Sequence, residues 1–115
     1  MFDFEKLDVY QVVNKQNLKV LSFIYSNSSI DPYIKDQWKR ASLSTLLNLA
    51  EGSGRMTSND KKHFITIARG SVYESVAILE TLKGLGQIDE QLHKELFDNY
   101  EIISKMLLGM FRSYN

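Results

Sequence analysis

Apolar residues recur every three or four positions through four long segments of the chain, and short polar runs separate these segments. Such spacing places apolar side chains along one face of an α-helix. The pattern predicts four helices, at residues 4 or 5 to about 26, 32 to 51 or 54, 57–59 to about 83, and 89 onward. The fourth has the most regular stripe, formed by Leu92, Leu96, Tyr100, Ile103, Leu107, Met110 and Tyr114.

Residues that favour helix ends stand between these segments. Asp31 precedes Pro32, and a capping carboxylate followed by proline at the first helical position is a frequent helix start. Asp89 stands in the same capping position before the fourth helix, and Gly54 and Gly84 follow the second and third helices, where glycine readily ends a helix. Four long helices with short connections predict an all-α fold, an up-down-up-down antiparallel four-helix bundle. A chain of 115 residues fits a single domain, residues 1–115.

Composition narrows the classes of function. The chain has no cysteine, which excludes a disulfide scaffold, a thiolate zinc site and a cysteine nucleophile. No segment approaches the roughly 20 apolar residues of a membrane span, and the first residues lack the basic and apolar parts of a secretion signal. We therefore expect a cytoplasmic protein with no membrane partner.

Charge is balanced overall but uneven along the chain. The 14 Lys and Arg residues equal the 14 Asp and Glu residues, yet residues 35–69 are mainly basic and residues 74–101 mainly acidic. Either neighbouring helices match their charges within the chain, or the basic hairpin binds a polyanion. The candidate nucleic-acid or anion-binding residues are Arg40, Arg55, Lys61, Lys62 and Arg69.

The turn at residues 52–55 has two interpretations. Its glycines precede a helix N-terminus, where backbone N–H groups and the helix dipole can hold a phosphate with help from Lys61 or Lys62. The same glycines are also those of an ordinary helix end. The sequence alone leaves both interpretations open.

Small and polar residues within the second and third helices are candidates for structural or interface roles: Asn48, Glu51, Gly52, Gly70, Ser71 and Glu74. Glycine in mid-helix costs about 1 kcal/mol relative to alanine, so Gly70 predicts a contact with no room for a side chain, within the bundle or between subunits. Hairpin register places Glu51 about two turns away from Arg69, which argues against an ion pair between them. For Glu74 we predict a partner at Lys39 or Arg40.

Catalytic and metal sites lack support in the sequence. Glu90 and His93 have a spacing found in metal-binding bundles, and Asp60 and His63 repeat it with an aspartate. Antiparallel helices place these two pairs at opposite ends of the bundle, so we interpret them as solvated helix starts with surface histidines. No serine, histidine and acid share a helical spacing suited to a nucleophile. We predict no enzyme activity, no cofactor and no metal.

Apolar residues also exceed one stripe on the first and third helices, at Val9, Val12, Val13, Val20, Phe23, Ile65, Val72, Val76 and Leu79. A bundle helix needs only one apolar stripe of about 100° toward the core. Large exposed apolar patches are uncommon on monomers. We therefore predict that copies of the chain associate.

Residues 48–55 (NLAEGSGR) and 67–74 (IARGSVYE) resemble segments of a known family. The opening FEKLxVY at residues 4–10 and the residues Arg40, Ala41 and Ser44 match it too. The chain is thus similar to bacterial four-helix-bundle proteins first noticed as reading frames in intervening sequences of 23S ribosomal RNA genes. It departs from them at Thr45 and Leu46, where the family has isoleucine and proline.

The resemblance implies a ring-like homopentamer, as in the accessory protein of diversity-generating retroelements, a basic relative that binds nucleic acid and a reverse transcriptase. It implies no catalytic residues. The expected function is a non-enzymatic homo-oligomeric scaffold that binds a macromolecule, with RNA or DNA as the first expectation. The alternative is a protein–protein interaction scaffold with no nucleic-acid binding, which the zero net charge favours.

Overall fold

A computed structural model describes all 115 residues. A short 3-10 turn, Asp3–Lys6, precedes four helices: α1 (Asp8–Ser26), α2 (Pro32–Gly54), α3 (Ser58–Gly84) and α4 (Glu90–Ser113). Each helix packs on its neighbour in sequence, and α1 also packs on α4, in a body of 44 × 22 × 21 Å. The predicted all-α four-helix bundle is confirmed. None of the helices combines the length and the apolar character that a membrane span requires.

Local capping chemistry sets three of the four helix starts. The Asp31 carboxylate accepts hydrogen bonds from the backbone N–H groups of Tyr33 and Ile34, at 2.8 and 3.3 Å. Asp89 accepts from two N–H groups of α4, both at 3.1 Å. The Thr57 hydroxyl accepts from the N–H of Asp60 at 3.2 Å. These bonds satisfy donors that the first helical turn leaves unpaired, and they confirm the predicted starts.

The predicted start of α1 is wrong by a few residues. Leu7 is extended, with ψ 132°, and separates the 3-10 turn from α1. The turn has its own hydrogen bonds: Phe2 N–H donates to the Glu5 carboxylate at 2.9 Å, and the Gln11 amide donates to the Glu5 carbonyl at 2.7 Å. The first bond closes the turn, and the second ties the turn to α1, in which Gln11 lies.

The apolar residues of α1 and α3 that exceed one stripe lie mostly in the core of the bundle. Val9, Val13, Val20 and Ile24 are buried, whereas Leu18 is 59% exposed. On α3 the residues Ile65, Val72 and Leu79 are likewise in the core of their own chain. Most of the apolar residues that sequence interpretation assigned to a subunit contact therefore pack inside the bundle, and that particular argument for self-association is wrong.

Candidate nucleic-acid interface

The hairpin of α2 and α3 has a close helix contact near its turn, at Gly52. A Cβ atom on Gly52 would lie 3.0 Å from the Cβ of Phe64 and 3.2 Å from the Cδ1 of Ile65. At Gly70 a Cβ atom would meet nothing within 4 Å. The close approach predicted at Gly70 is therefore wrong within the chain and occurs at Gly52, because α3 begins beside Gly52 whereas Gly70 lies on the outer side of α3.

Polar side chains join α2 to α3 farther along the hairpin. The hydroxyls of Ser44 and Ser71 lie 2.7 Å apart in a hydrogen bond. The Asn48 amide donates to the Ser44 carbonyl at 2.8 Å and to its hydroxyl at 3.1 Å. The structure therefore places Asn48 and Ser71 in one hydrogen-bonded chain within the hairpin.

At the turn after α2, the cations Arg55 and Lys61 both have partners within the chain. Arg55 forms an ion pair with Glu51 at 2.6 Å, and its guanidinium lies over the Phe64 ring, 4.4 Å from the centroid. The Lys61 ammonium donates to the Ser53 carbonyl at 2.9 Å. Because these cations already have partners, the geometry favours the ordinary helix end over a phosphate site at residues 52–55.

Arg69 and Glu51 do not pair, as the hairpin register predicts. The Arg69 Nε–H donates to the Ser104 carbonyl of α4 at 3.2 Å, and the guanidinium lies 5.1 Å from the centroid of the Tyr73 ring. The predicted pair of Glu74 with Lys39 or Arg40 is wrong, since Lys39 instead approaches Asp36 at 4.0 Å. Glu74 and Arg40 share the wall of one cleft between α2 and α3 without an ion pair.

The cations of residues 35–69 form no ion pairs with the acidic residues of segment 74–101. Two contacts to a carboxylate join α4 to another helix: the ion pair of Lys19 with Glu95, and the His93 ring, whose Nε2 lies 2.6 Å from the Glu80 carboxylate. No carboxylate lies within 4.0 Å of the cationic nitrogens of four hairpin residues, Arg40, Lys61, Lys62 and Arg69. Three of these cations instead lie over aromatic rings: Lys61 over Tyr114, Lys62 over Phe111 and Arg69 over Tyr73.

A groove of about 460 Å³ opens between α3 and α4 on this side of the bundle. We call it the α3–α4 groove, and its lining residues are Ile65, Thr66, Arg69, Gly70, Tyr73, Leu108 and Phe111. No carboxylate is among them. Lys62 adds a second cation, with its ammonium 5.5 Å from the centroid of the Phe111 ring. The groove therefore combines positive charge, aromatic walls and an apolar floor.

The sequence named the cations of the α3–α4 groove but missed its aromatic members. Tyr73 follows Arg69 by four residues, a spacing at which helical side chains meet, so the pair could have been recognised. Phe111 lies on α4, and its approach to Lys62 depends on how two helices pack, which no local pattern shows.

One histidine is also placed differently from its prediction. His93 is buried and lies 2.6 Å from the Glu80 carboxylate of α3, whereas His63 is exposed beside Phe64. The interpretation of both histidines as surface residues is wrong for His93, because α3 supplies a partner that is distant in sequence. No three His, Asp or Glu side chains converge on a common point where they could hold a metal ion.

Comparison with known proteins is consistent with the architecture. Residues 5–109 match the family described as 23S rRNA-intervening sequence protein. Among solved structures, the chain is similar to the crystal structure of a protein of unknown function from the S23 ribosomal protein family of Bacteroides thetaiotaomicron VPI-5482. The TM-score is 0.83 at 17% identity, over 90% of this chain and 97% of that one. At this identity the similarity shows the fold alone. No functionally curated protein matches the chain.

Proposed function

Because the chain belongs to the family of 23S rRNA-intervening sequence proteins, we propose that it is a non-enzymatic scaffold, assembled from copies of itself, that binds nucleic acid in the cytoplasm. One observation carries the proposal. On a protein of zero net charge, Arg40, Lys62 and Arg69 form no ion pair with any carboxylate of their own chain.

These cations suit phosphate contacts for a physical reason. An Arg or Lys paired with a carboxylate loses that pair when a phosphate replaces it, so paired cations gain little from binding a polyanion. Lys62 and Arg69 lie over aromatic rings, which hold them near the surface without neutralising their charge. When these cations contact phosphates, counterions are released from the nucleic acid. The binding affinity gained in this way falls as the salt concentration rises.

Self-association is supported by the outer face of the hairpin. Leu43 and Leu47, one helical turn apart on α2, are 44% and 59% exposed, and Ile67 on α3 is 37% exposed. Family resemblance favours a closed ring of five among the assemblies that such a face permits.

The proposal is tested by the salt dependence of nucleic-acid binding. Fluorescence anisotropy with labelled 20-nucleotide RNA and DNA, at about 50 and 200 mM salt, should show affinity that falls steeply as salt rises. Lys62→Gln combined with Arg69→Gln should weaken binding and reduce the slope of log K against log salt by about one to two. Lys15→Gln combined with Lys83→Gln removes the same net charge at exposed sites outside the basic segment of residues 35–69 and should have a smaller effect.

The second candidate function is a scaffold whose partner is a protein. The zero net charge and the exposed leucines of α2 favour it. Absence of binding to any labelled RNA or DNA at about 50 mM salt would contradict the nucleic-acid proposal and leave this alternative. Equal effects of the two double variants would contradict the assignment of the hairpin cations.

A further inference from the structure

We propose that the α3–α4 groove is a site for single-stranded nucleic acid, in which bases stack on Tyr73 and Phe111 and the flanking phosphates contact Arg69 and Lys62. This proposal rests on the proposed function and specifies where and in which form the nucleic acid binds. It depends on how aromatic rings, cations and open space are combined in one groove.

The aromatic residues supply the stacking surfaces. Tyr73 is 58% exposed, and Phe111 is half-buried with its ring in the groove wall. In each pair the cation lies over one face of the ring, so a base would stack on the ring surface that the cation leaves exposed. Bases stack on aromatic rings and on guanidinium planes alike.

Arg69 is held in a fixed position and still has donors to offer. Its Nε–H donates to the Ser104 carbonyl of α4, and its terminal amino groups have no acceptor in the chain. This arrangement fixes the guanidinium at the groove while its outer edge stays available for a phosphate oxygen. Lys62 likewise forms no ion pair or hydrogen bond through its ammonium.

Gly70 keeps the groove open. A Cβ atom there would meet nothing within 4 Å, so no close helix contact within the chain requires a glycine at this position. A side chain would instead occupy the space that a base would enter. The volume, about 460 Å³, falls in the roughly 300 to 1,000 Å³ range of sites that hold small organic groups.

The form of the nucleic acid follows from the need for accessible base faces. In a duplex the bases are stacked on each other and present only their edges, so rings such as Tyr73 have no base face to contact. A single strand presents both base faces and phosphates at short spacing. The complete lack of carboxylates among the lining residues favours an anionic occupant over a cationic one.

The test uses the full chain and two fluorescein-labelled RNA probes of 20 nucleotides, one single-stranded oligouridine and one perfect duplex. The single strand should bind at least about tenfold more tightly at equal salt. Tyr73→Ala should weaken single-strand binding roughly 5- to 100-fold, the loss expected for one base–aromatic stack. Tyr73→Phe keeps the ring and should retain binding within about twofold.

Tyr33→Ala is the matched control. Tyr33 is 71% exposed on α2, lies outside the α3–α4 groove and should leave binding unchanged when replaced. Circular dichroism should show the same helix content and melting for all variants, because both tyrosines are largely exposed.

The possible results separate this inference from the proposed function. If the wild-type protein binds RNA but prefers the duplex, or if Tyr73→Ala binds as well as the wild type, the groove assignment is overturned while nucleic-acid binding stands. If neither probe binds, both proposals fail. Tyr73-dependent binding of a labelled polyglutamate peptide in place of the RNA would identify an acidic protein segment as the occupant and would overturn the inference.

Discussion

The indole Nε1–H of Trp38 on α2 donates a hydrogen bond to the hydroxyl oxygen of Tyr100 on α4, at 3.1 Å, in the interior of the bundle. Both side chains are buried, at 0% and 3% exposure. Ser42 and Ser75 lie near enough to lower the pKa of Tyr100, although their own hydroxyls have no hydrogen-bond partner. These side chains lie on α2, α3 and α4, and the Trp38–Tyr100 bond joins α2 to α4.

Replacing Tyr100 with phenylalanine should destabilise the protein. The change removes the only hydrogen-bond acceptor of the Trp38 indole and leaves a buried N–H unpaired, which costs about 1 to 3 kcal/mol. Urea denaturation followed by tryptophan fluorescence measures the change in the free energy of unfolding. Tyr33→Phe, at an exposed site, should change it by less than about 0.5 kcal/mol. Equal stability of the two variants would contradict a structural role for the Trp38–Tyr100 bond.

Alkaline pH should weaken the fold through the same tyrosine. Burial raises the pKa of Tyr100 above its ordinary value of 10.0, against smaller opposing effects of the hydrogen bond from Trp38 and of nearby hydroxyls. The unfolded chain therefore loses this proton first. The stabilising contribution is complete below pH 10 and is lost as pH rises from there through the folded-state pKa.

Urea midpoints measured between pH 8 and 11 check this expectation. The wild-type midpoint should fall more steeply above pH 10 than that of Tyr100→Phe, which has no proton to lose at this position. Parallel curves for the two proteins would show that other groups account for the alkaline loss.

Two glycines of the hairpin should respond in opposite directions to alanine. Gly52→Ala places a Cβ 3.0 Å from Phe64 and 3.3 Å from the Lys61 carbonyl, so we expect a loss of about 1 to 3 kcal/mol from overpacking. Gly70→Ala meets open space in mid-helix and should gain about 1 kcal/mol, the difference in helix propensity. Thermal unfolding of both variants tests the pair, and a loss at Gly70 would indicate that another subunit packs there.

Much of the fold could be predicted from the sequence because its signals are local. Asp31 and Asp89 cap the N–H groups of residues only two or three positions ahead, and the stripe of α4 follows from helical period alone. The start of α1 is less predictable, because Leu7 is apolar and continues the helical pattern although its extended backbone separates the 3-10 turn from α1.

The candidate site was less predictable because it depends on packing between helices. Gly52 and Gly70 both stand among small residues, and only the position of Phe64 across the turn shows which one has no room. The contact of Lys62 with Phe111 and that of His93 with Glu80 likewise join residues on different helices. The sequence assigns the valines of α1 to a subunit contact, because two adjoining apolar stripes of this helix both satisfy the helical period. Only the packed bundle shows which of the two stripes faces the core.

The outer face of α2 should govern self-association. Leu43→Glu combined with Leu47→Glu introduces charges at two exposed positions, 44% and 59%, so the fold of one chain should persist while contacts between copies weaken. Size-exclusion chromatography should show a smaller species than the wild type, with unchanged helix content. Leu18→Glu, at a site of 59% exposure on α1, is the control and should leave the assembly intact. A wild-type elution volume for the double variant would remove this face from the interface.

Assembly from identical copies is the central claim about this scaffold, and light scattering of the wild-type protein tests it most directly. At micromolar concentration we predict a mass that is a multiple of the 13.3 kDa of one chain, with five copies expected. The mass of a dimer would contradict the pentamer but not self-association. A mass near 13.3 kDa across the concentration range would contradict the homo-oligomeric scaffold itself.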